Sequence, residues 1–299
     1  MEMREEIRRL AKDRGAVILA HNYTVGEVQD AADFVGDSLE LSRKAAACGA
    51  PVIVFCGVRF MAETAKILSP GSIVLHPAPD AGCPMADMAD ADVVRAYREA
   101  HPNTVMVAYV NTTAATKTAV DICCTSGNAE RVIRSIPPEK EILFLPDANL
   151  GANLSRKLGR KMELWPGCCP THNAIDPSRI ARARAEHPGA IVMVHPECPP
   201  ATVDAADVAL STGQMLAYAR ENPAAAFIVG TETGILHRLR LENPGKEFFP
   251  LEPNPLCKNM KKISLESVLF ALREMEPRVE LDDETIRLAR EPIDRMLAL

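Results

Sequence analysis

The chain has 299 residues, 47% hydrophobic, 25% charged and only 4% aromatic, with a formal net charge of −6. Such a chain has ample apolar material for a folded core, and an acidic, aromatic-poor composition argues against a nucleic-acid partner. No run approaches about 18 apolar residues, and the opening MEMREEIRRLAKDRG lacks the apolar middle of a secretory signal, so the expectation is a cytoplasmic protein with no membrane contact.

In chain order, AVILAH (16–21), VIVFC (52–56), VMVAYV (105–110), EILFL (141–145), AIVMVH (190–195) and AFIVG (226–230) read as strands. They are short, β-branched and unalternating, as parallel strands covered on both faces should be. SLELSRKAAACGA, closing at Gly49, and ARARAEHPGA read as helices between them. The pattern is α/β.

A threefold repeat is superimposed on it. Three strands end in polar-x-polar triplets, His21-Asn22-Tyr23, Tyr109-Val110-Asn111 and His195-Pro196-Glu197. A hydroxyl residue follows each triplet by 15 residues: Ser38, Ser126 and Thr212. A cysteine follows each hydroxyl, Cys83 by 45 residues, Cys169 by 43 and Cys257 by 45. Both spacings hold in step three times, which predicts three similar units around a central site.

Parallel α/β units bind ligands at the carboxyl ends of their strands, where the triplets lie. In an extended strand residues two apart face one side, so each triplet is expected to present both polar side chains together. Each hydroxyl reads as the N-cap or first residue of a helix, and three converging helix starts would suit a substrate with several carboxylates or a phosphate. Taken singly, each is better explained by capping alone. For Glu63 in MAETAK and Lys117 in TAATK a solvated helix face explains the residue as well as function does.

Nine cysteines with no C-x-x-C leave zinc-ribbon and thioredoxin patterns without support, and the odd count argues against a disulfide framework. Cys83, Cys169 and Cys257 stand in Gly/Pro-rich loops, one per repeat, and can reach one metal centre. Three thiolates favour a [4Fe-4S] cluster with one iron free over zinc, though composition does not decide between them. In Cys123-Cys124 and Cys168-Cys169 neighbouring side chains point apart, and the spacing selects Cys169. Cys198 is expected to line the cavity without binding metal.

The blocks AHNYTVGEVQDAADFVGDSLELSRKAA, FCGVRFMAETAKILSP, AGCPMADM, AYVNTTAATKTAVDICCTSGNA, FLPDANLGANL, WPGCCPTH, VHPEC and LCKNMKKISLESV resemble the quinolinate synthase family along nearly the whole chain. The resemblance implies three Rossmann-like α/β/α sandwich domains in pseudo-threefold arrangement. Approximate boundaries are 1–84 with the C-terminal helices 262–299, then 85–171, then 172–261. It implies iminosuccinate and dihydroxyacetone phosphate as substrates, quinolinate, phosphate and water as products, and a [4Fe-4S] cofactor on Cys83, Cys169 and Cys257. It leaves open a transient contact with the enzyme that makes iminosuccinate. Its substrate residues fall on His21, Tyr23, Ser38, Tyr109, Asn111, Ser126, His172, His195, Glu197 and Thr212. Among these, Glu197, Tyr23, His21, His195, His172 and Tyr109 are the acid–base candidates. Some members carry further cysteines near the third ligand, and here Cys257 stands alone, which removes the case for a C-terminal redox switch. Two rival classes are a zinc hydrolase or deaminase built on His195 and Glu197, which lacks the expected P-C-x-x-C element, and a non-catalytic iron–sulfur carrier, which has no need of so many polar groups.

Overall fold

The structure is a computed structural model that describes residues 2–251 and 253–299. The strands are β1 (Ala16–His21), β2 (Phe34–Gly36), β3 (Val52–Cys56), β4 (Ile73–Leu75), β5 (Val105–Tyr109) and β6 (Ile122–Cys124). They continue with β7 (Ile142–Leu145), β8 (Glu163–Leu164), β9 (Ile191–Val194), β10 (Val208–Ala209), β11 (Ala226–Gly230) and β12 (Glu247–Pro250). Three parallel four-stranded sheets result, ordered β2-β1-β3-β4, β6-β5-β7-β8 and β10-β9-β11-β12. Helices flank each sheet, so the α/β reading with three Rossmann-like units holds.

The six strands read from the sequence are the two inner strands of each sheet. They are covered on both faces, and their continuous apolar runs follow from that. The outer strands are two to four residues long, and most of their residues are partly buried or exposed. They carry too little pattern to be read.

One hydrogen-bond device ties an outer strand to an inner one in every unit. An aspartate just before β2, β6 and β10 accepts from a β1, β5 or β9 amide fifteen residues earlier. Asp33 Oδ2 accepts from Ile18 N (2.8 Å), Asp121 Oδ2 from Met106 N (2.7 Å) and Asp207 Oδ2 from Val192 N (2.8 Å). Each aspartate N–H returns a bond to the same residue's carbonyl. The pair imitates a ladder rung and fixes where the outer strand begins.

A single apolar cluster runs through all three units, from Leu19 through Phe144 to Phe227. The helix Leu265–Glu274 packs on the helix Glu2–Arg14 and on β3. The helix Asp283–Leu297 lies between the first two units, against the helix Arg59–Leu68 on one side and β6 with the helix Ala114–Lys117 on the other. Arg295 donates from it to the Asp121 carbonyl at 2.7 Å. Among the described residues no helix is long and apolar enough to cross a membrane.

The aspartate device makes a stability prediction. Asp121→Ala leaves the Met106 N–H, on a fully buried residue, without its side-chain acceptor, at an expected cost of about 1–3 kcal/mol. Asp121→Asn keeps an acceptor oxygen and should lose less. Urea titrations of both variants check this, and equal midpoints for Asp121→Ala and parent would refute it.

Candidate active site at the meeting point of three units

The carboxyl ends of the inner strands face a common cavity of about 550 Å³. Every site residue read from the sequence lines it: His21, Tyr23, Ser38, Cys83, Tyr109, Asn111, Ser126, Cys169, His172, His195, Glu197, Thr212 and Cys257. Cys168 and Cys198 are not among its lining residues. Cys168 is half-buried beside Met88, to whose sulfur its N–H donates. Cys198, expected along the cavity, is instead fully buried in the core of the third unit, packed with Val194 and Ile228. Cys123 and Cys124 are fully buried and belong to β6.

The triplets meet the cavity differently from the extended pairs expected. His21 and Tyr109 end their strands, but Tyr23 lies in a turn beyond. The histidine makes that turn: Tyr23 N donates to His21 Nδ1 at 3.1 Å, and Glu197 N donates to His195 Nδ1 at 3.2 Å. A ring nitrogen that accepts carries no proton, so each imidazole bears its proton on Nε2. Burial pushes both histidines down to about 3, so both are neutral at physiological pH.

Glu197 is the centre of the polar network. Its Oε1 accepts from the Tyr109 hydroxyl, and its Oε2 lies 2.8 Å from His172 Nδ1. Burial alone would raise the carboxyl. The hydrogen bonds from His172 and Tyr109 act against it, and Glu197 is held below the usual carboxylate range. An ionised carboxylate only accepts, so the shared proton sits on His172 Nδ1. Thr231 Oγ1 donates to His172 Nε2 at 2.7 Å. Thr231 then accepts from the Tyr23 hydroxyl at 2.6 Å, which accepts from Thr212 Oγ1 at 3.0 Å. One directed chain of hydrogen bonds thus joins all three units. Both tyrosines are pushed well above the ordinary phenol range, first by burial, and stay protonated.

The hydroxyls recur at one structural position, with one departure. Ser38 and Thr212 are the first residues of the helices Ser38–Ala47 and Thr212–Glu221, behind capping boxes built by Asp37 with Glu40 and by Ser211 with Gln214. In the second unit the helix begins only at Ala129, and Ser126 lies in the preceding turn. Asn128 Oδ1 there accepts from Thr125 N at 2.7 Å, the same reach-back as its counterparts, but its short side chain draws the first turn out of helical geometry. The first and third helix starts touch: Asp37 Oδ2 accepts from Gly213 N at 3.2 Å, and a Cβ on Gly213 would meet that oxygen at 2.6 Å. Only glycine permits this approach.

The three cysteines lie close enough for the charge of one to raise the next; burial first pushes Cys83 up to about 12, Cys169 well above its ordinary value, and Cys257 up as well. A carboxylate holds the backbone of two of them. Asp147 Oδ2 accepts from Cys169 N at 3.3 Å, and Glu232 Oε1 accepts from Cys257 N at 3.2 Å. Glu232 is paired in turn with Lys261 at 2.8 Å, and Lys261 reaches the Tyr23 carbonyl at 2.6 Å. A second donor set overlaps this one. Cys169, His172 and Glu197 offer atoms within 4.8 Å of one another, a thiol, imidazole and carboxylate set that a metal ion can also use.

Thr231, Asp147, Glu232 and Lys261 were not singled out from the sequence. Thr231 and Glu232 follow β11, and Asp147 follows β7 after a single proline. The carboxyl-end rule applied to the first inner strand of each unit would have found them on the second. Glu63 and Lys117 do not lie on a solvated face: both are buried. Glu63 Oε2 accepts from Ala114 N at 2.9 Å, and Lys117 Nζ bonds carbonyls beyond β5.

The family model described as Quinolinate synthetase A protein matches residues 5–298. Curated relatives are similarly close along their length. The quinolinate synthase of Geobacter metallireducens is 50% identical over 297 residues, 99% of this chain and 97% of that protein. Those of Methanoregula boonei and Desulforudis audaxviator are also 50% identical, over 99% and 100% of this chain and 98% of each relative.

Thr231 is the link in the network that is open to a clean test. Thr231→Val keeps the shape and deletes the hydroxyl that serves both His172 and Tyr23. A loss of about 1–3 kcal/mol is expected in urea titrations, with Thr231→Ser near the parent. A valine variant as stable as the parent would show these bonds to be of no consequence.

Proposed function

The chain belongs to the quinolinate synthetase A family, and on that premise we propose that it condenses iminosuccinate with dihydroxyacetone phosphate to give quinolinate, phosphate and water in the cytoplasm. The observation that carries this reading is the convergence of acid–base, hydroxyl and thiol groups from three units on one cavity. A buried polar atom supports it: Asn111 Oδ1 has no partner within the protein, as a group kept for substrate would.

The residues that would hold a [4Fe-4S] cluster are Cys83, Cys169 and Cys257. The donor set fits: burial keeps these thiols protonated on their own, whereas a cationic centre favours their thiolates. When bound, the cluster would supply a Lewis acid at its one iron without a cysteine ligand.

The chain's own groups divide the remaining work. Neutral His21 and His195 offer Nε2–H donors, suited to a carbonyl or carboxylate oxygen without adding full charge. Ser38, Ser126 and Thr212 offer hydroxyls beside helix-start or turn N–H groups for carboxylate or phosphate. Asn111 and Tyr109 orient the substrate. Glu197 accepts a proton at a carboxylate oxygen, with Tyr23 reached through His172 and Thr231. Its basicity is adjustable: a substrate that draws the Tyr109 hydroxyl away removes one stabilising bond, and burial then raises the carboxyl.

The compact set of Cys169, His172 and Glu197 favours a second reading, a metal hydrolase with zinc at those three groups. The two readings part at the other cysteines. Under the cluster reading, Cys83→Ala, Cys169→Ala and Cys257→Ala each abolish the brown colour, the iron and sulfide content and quinolinate formation in protein purified without oxygen. Cys168→Ala keeps all of them. If Cys83→Ala and Cys257→Ala retain stoichiometric metal, the zinc reading replaces the cluster.

Glu197→Gln tests the acid–base assignment. It keeps the size of the side chain and removes the base, so a folded, cluster-bearing protein should form quinolinate about 10²–10⁴-fold more slowly. Parent rates in this variant would remove Glu197 from the chemistry, and loss of the cluster would make its role structural.

A further inference from the structure

The turn that carries each polar-x-polar triplet is held by one side-chain nitrogen. In the first unit Gln29 Nε2 donates to the carbonyls of Asn22 at 3.0 Å and Thr24 at 2.9 Å, on either side of Tyr23. In the second, Lys117 Nζ donates to Val110 O at 2.8 Å and Thr112 O at 2.5 Å, on either side of Asn111. In the third, Asn153 Nδ2 donates to Pro196 O and Cys198 O, both at 2.9 Å, on either side of Glu197. Gln29 and Lys117 hold equivalent places, each seven and five residues after the two carbonyls it grips. Asn153 reaches the third turn from the second unit's helix Ala148–Leu158, so the same arrangement is built there from a different element.

Three features show that the donors matter rather than the bulk. Gln29 Oε1 and Asn153 Oδ1 are buried with no partner within the protein, so these amides are used for their N–H groups alone. Lysine has no acceptor and does the same job at the equivalent place. Its ammonium is fully buried, with the Phe60 ring 5.6 Å away. Burying a cation costs far more than burying methylenes, so an apolar side chain of equal length would fill the space at lower cost.

We propose that Gln29, Lys117 and Asn153 are positioning residues that aim Tyr23, Asn111 and Glu197 into the cavity. Carbonyls beyond a strand end have no ladder partner. Drawing two of them onto one nitrogen sets the separation of the flanking peptides, and with it the direction of the side chain between them. The proposal rests on the reading above that those three side chains work on substrate.

The test uses the cluster-loaded protein with three substitutions. Lys117→Met keeps the length and removes the donors; it should lower kcat by about 10²-fold, the order expected for a misplaced substrate group, with smaller changes in KM and an unchanged cluster spectrum. Lys117→Gln installs the first unit's donor at the second unit's equivalent place and should recover most of that loss, which a purely structural role for a buried cation would not allow. Asn153→Leu, at a half-buried position that should fold whatever happens at Lys117, should lower kcat through Glu197. Amide hydrogen exchange reads the same property without activity: exchange should rise at residues 110–113 in Lys117→Met and at Glu197 and Cys198 in Asn153→Leu and stay as in the parent elsewhere. Parent rates with parent exchange in Lys117→Met and Asn153→Leu overturn the proposal, as does Lys117→Gln performing no better than Lys117→Met. A parent protein that forms no quinolinate overturns the functional reading instead, and the exchange data then decide the positioning role alone.

Discussion

The ionised carboxylate of Glu197, buried where three units meet, is the constraint on which the arrangement around it depends. A buried carboxylate is tolerated only with donors aimed at it. Those donors are Tyr109 from the second unit and His172, which begins its own bond network through Thr231 to Tyr23 in the first. No unit can satisfy the group alone. The shared apolar cluster supplies most of the cohesion, while the buried charge sets which side chains face which. The neutrality of His21 and His195 follows from the same crowding: each ring spends Nδ1 on its own turn and keeps its proton outward.

Much of this was legible in the sequence, and the limits were physical. The inner strands declared themselves because both faces are covered, leaving unbroken runs such as Val52–Cys56. The outer strands did not, since a pair like Val208–Ala209 has no period to detect. The candidate residues that line the cavity were legible through repetition, which turned three weak signals into one, except His172, which only the family resemblance supplied. Thr231 escaped because it has no counterpart in the other units; Gly57 and Pro146 occupy the places after their second inner strands. Ser126 was assigned a helix start it lacks because Asn128, one methylene shorter than Gln214, cannot reach back from within a helix. Lys117 could not be distinguished from a surface lysine, since nothing in TAATK foretells that its amine turns inward to the carbonyls of Val110 and Thr112.

The repeat is stricter in its backbone bonds than in its chemistry. The aspartate fifteen residues along, the reach-back cap and the gripped pair of carbonyls occur in all three units. The groups presented to the cavity differ: imidazole and phenol, phenol and amide, imidazole and carboxylate. A common scaffold thus offers three equivalent mounting points, and each carries a different tool. The carboxylates that hold the cysteine loops follow the same logic in two units, Asp147 for Cys169 and Glu232 for Cys257, and the first unit has Val58 at that place.

The packing of the last two helices has a consequence for biosynthesis. Leu265–Glu274 covers the opening helix, and Asp283–Leu297 joins the first unit to the second. Both leave the ribosome after everything they cover. While the third unit is still being made, the first two lack the segment that spans them, and the loop bearing Cys257 has not yet emerged. The thiol-lined chamber therefore cannot close until translation is nearly over.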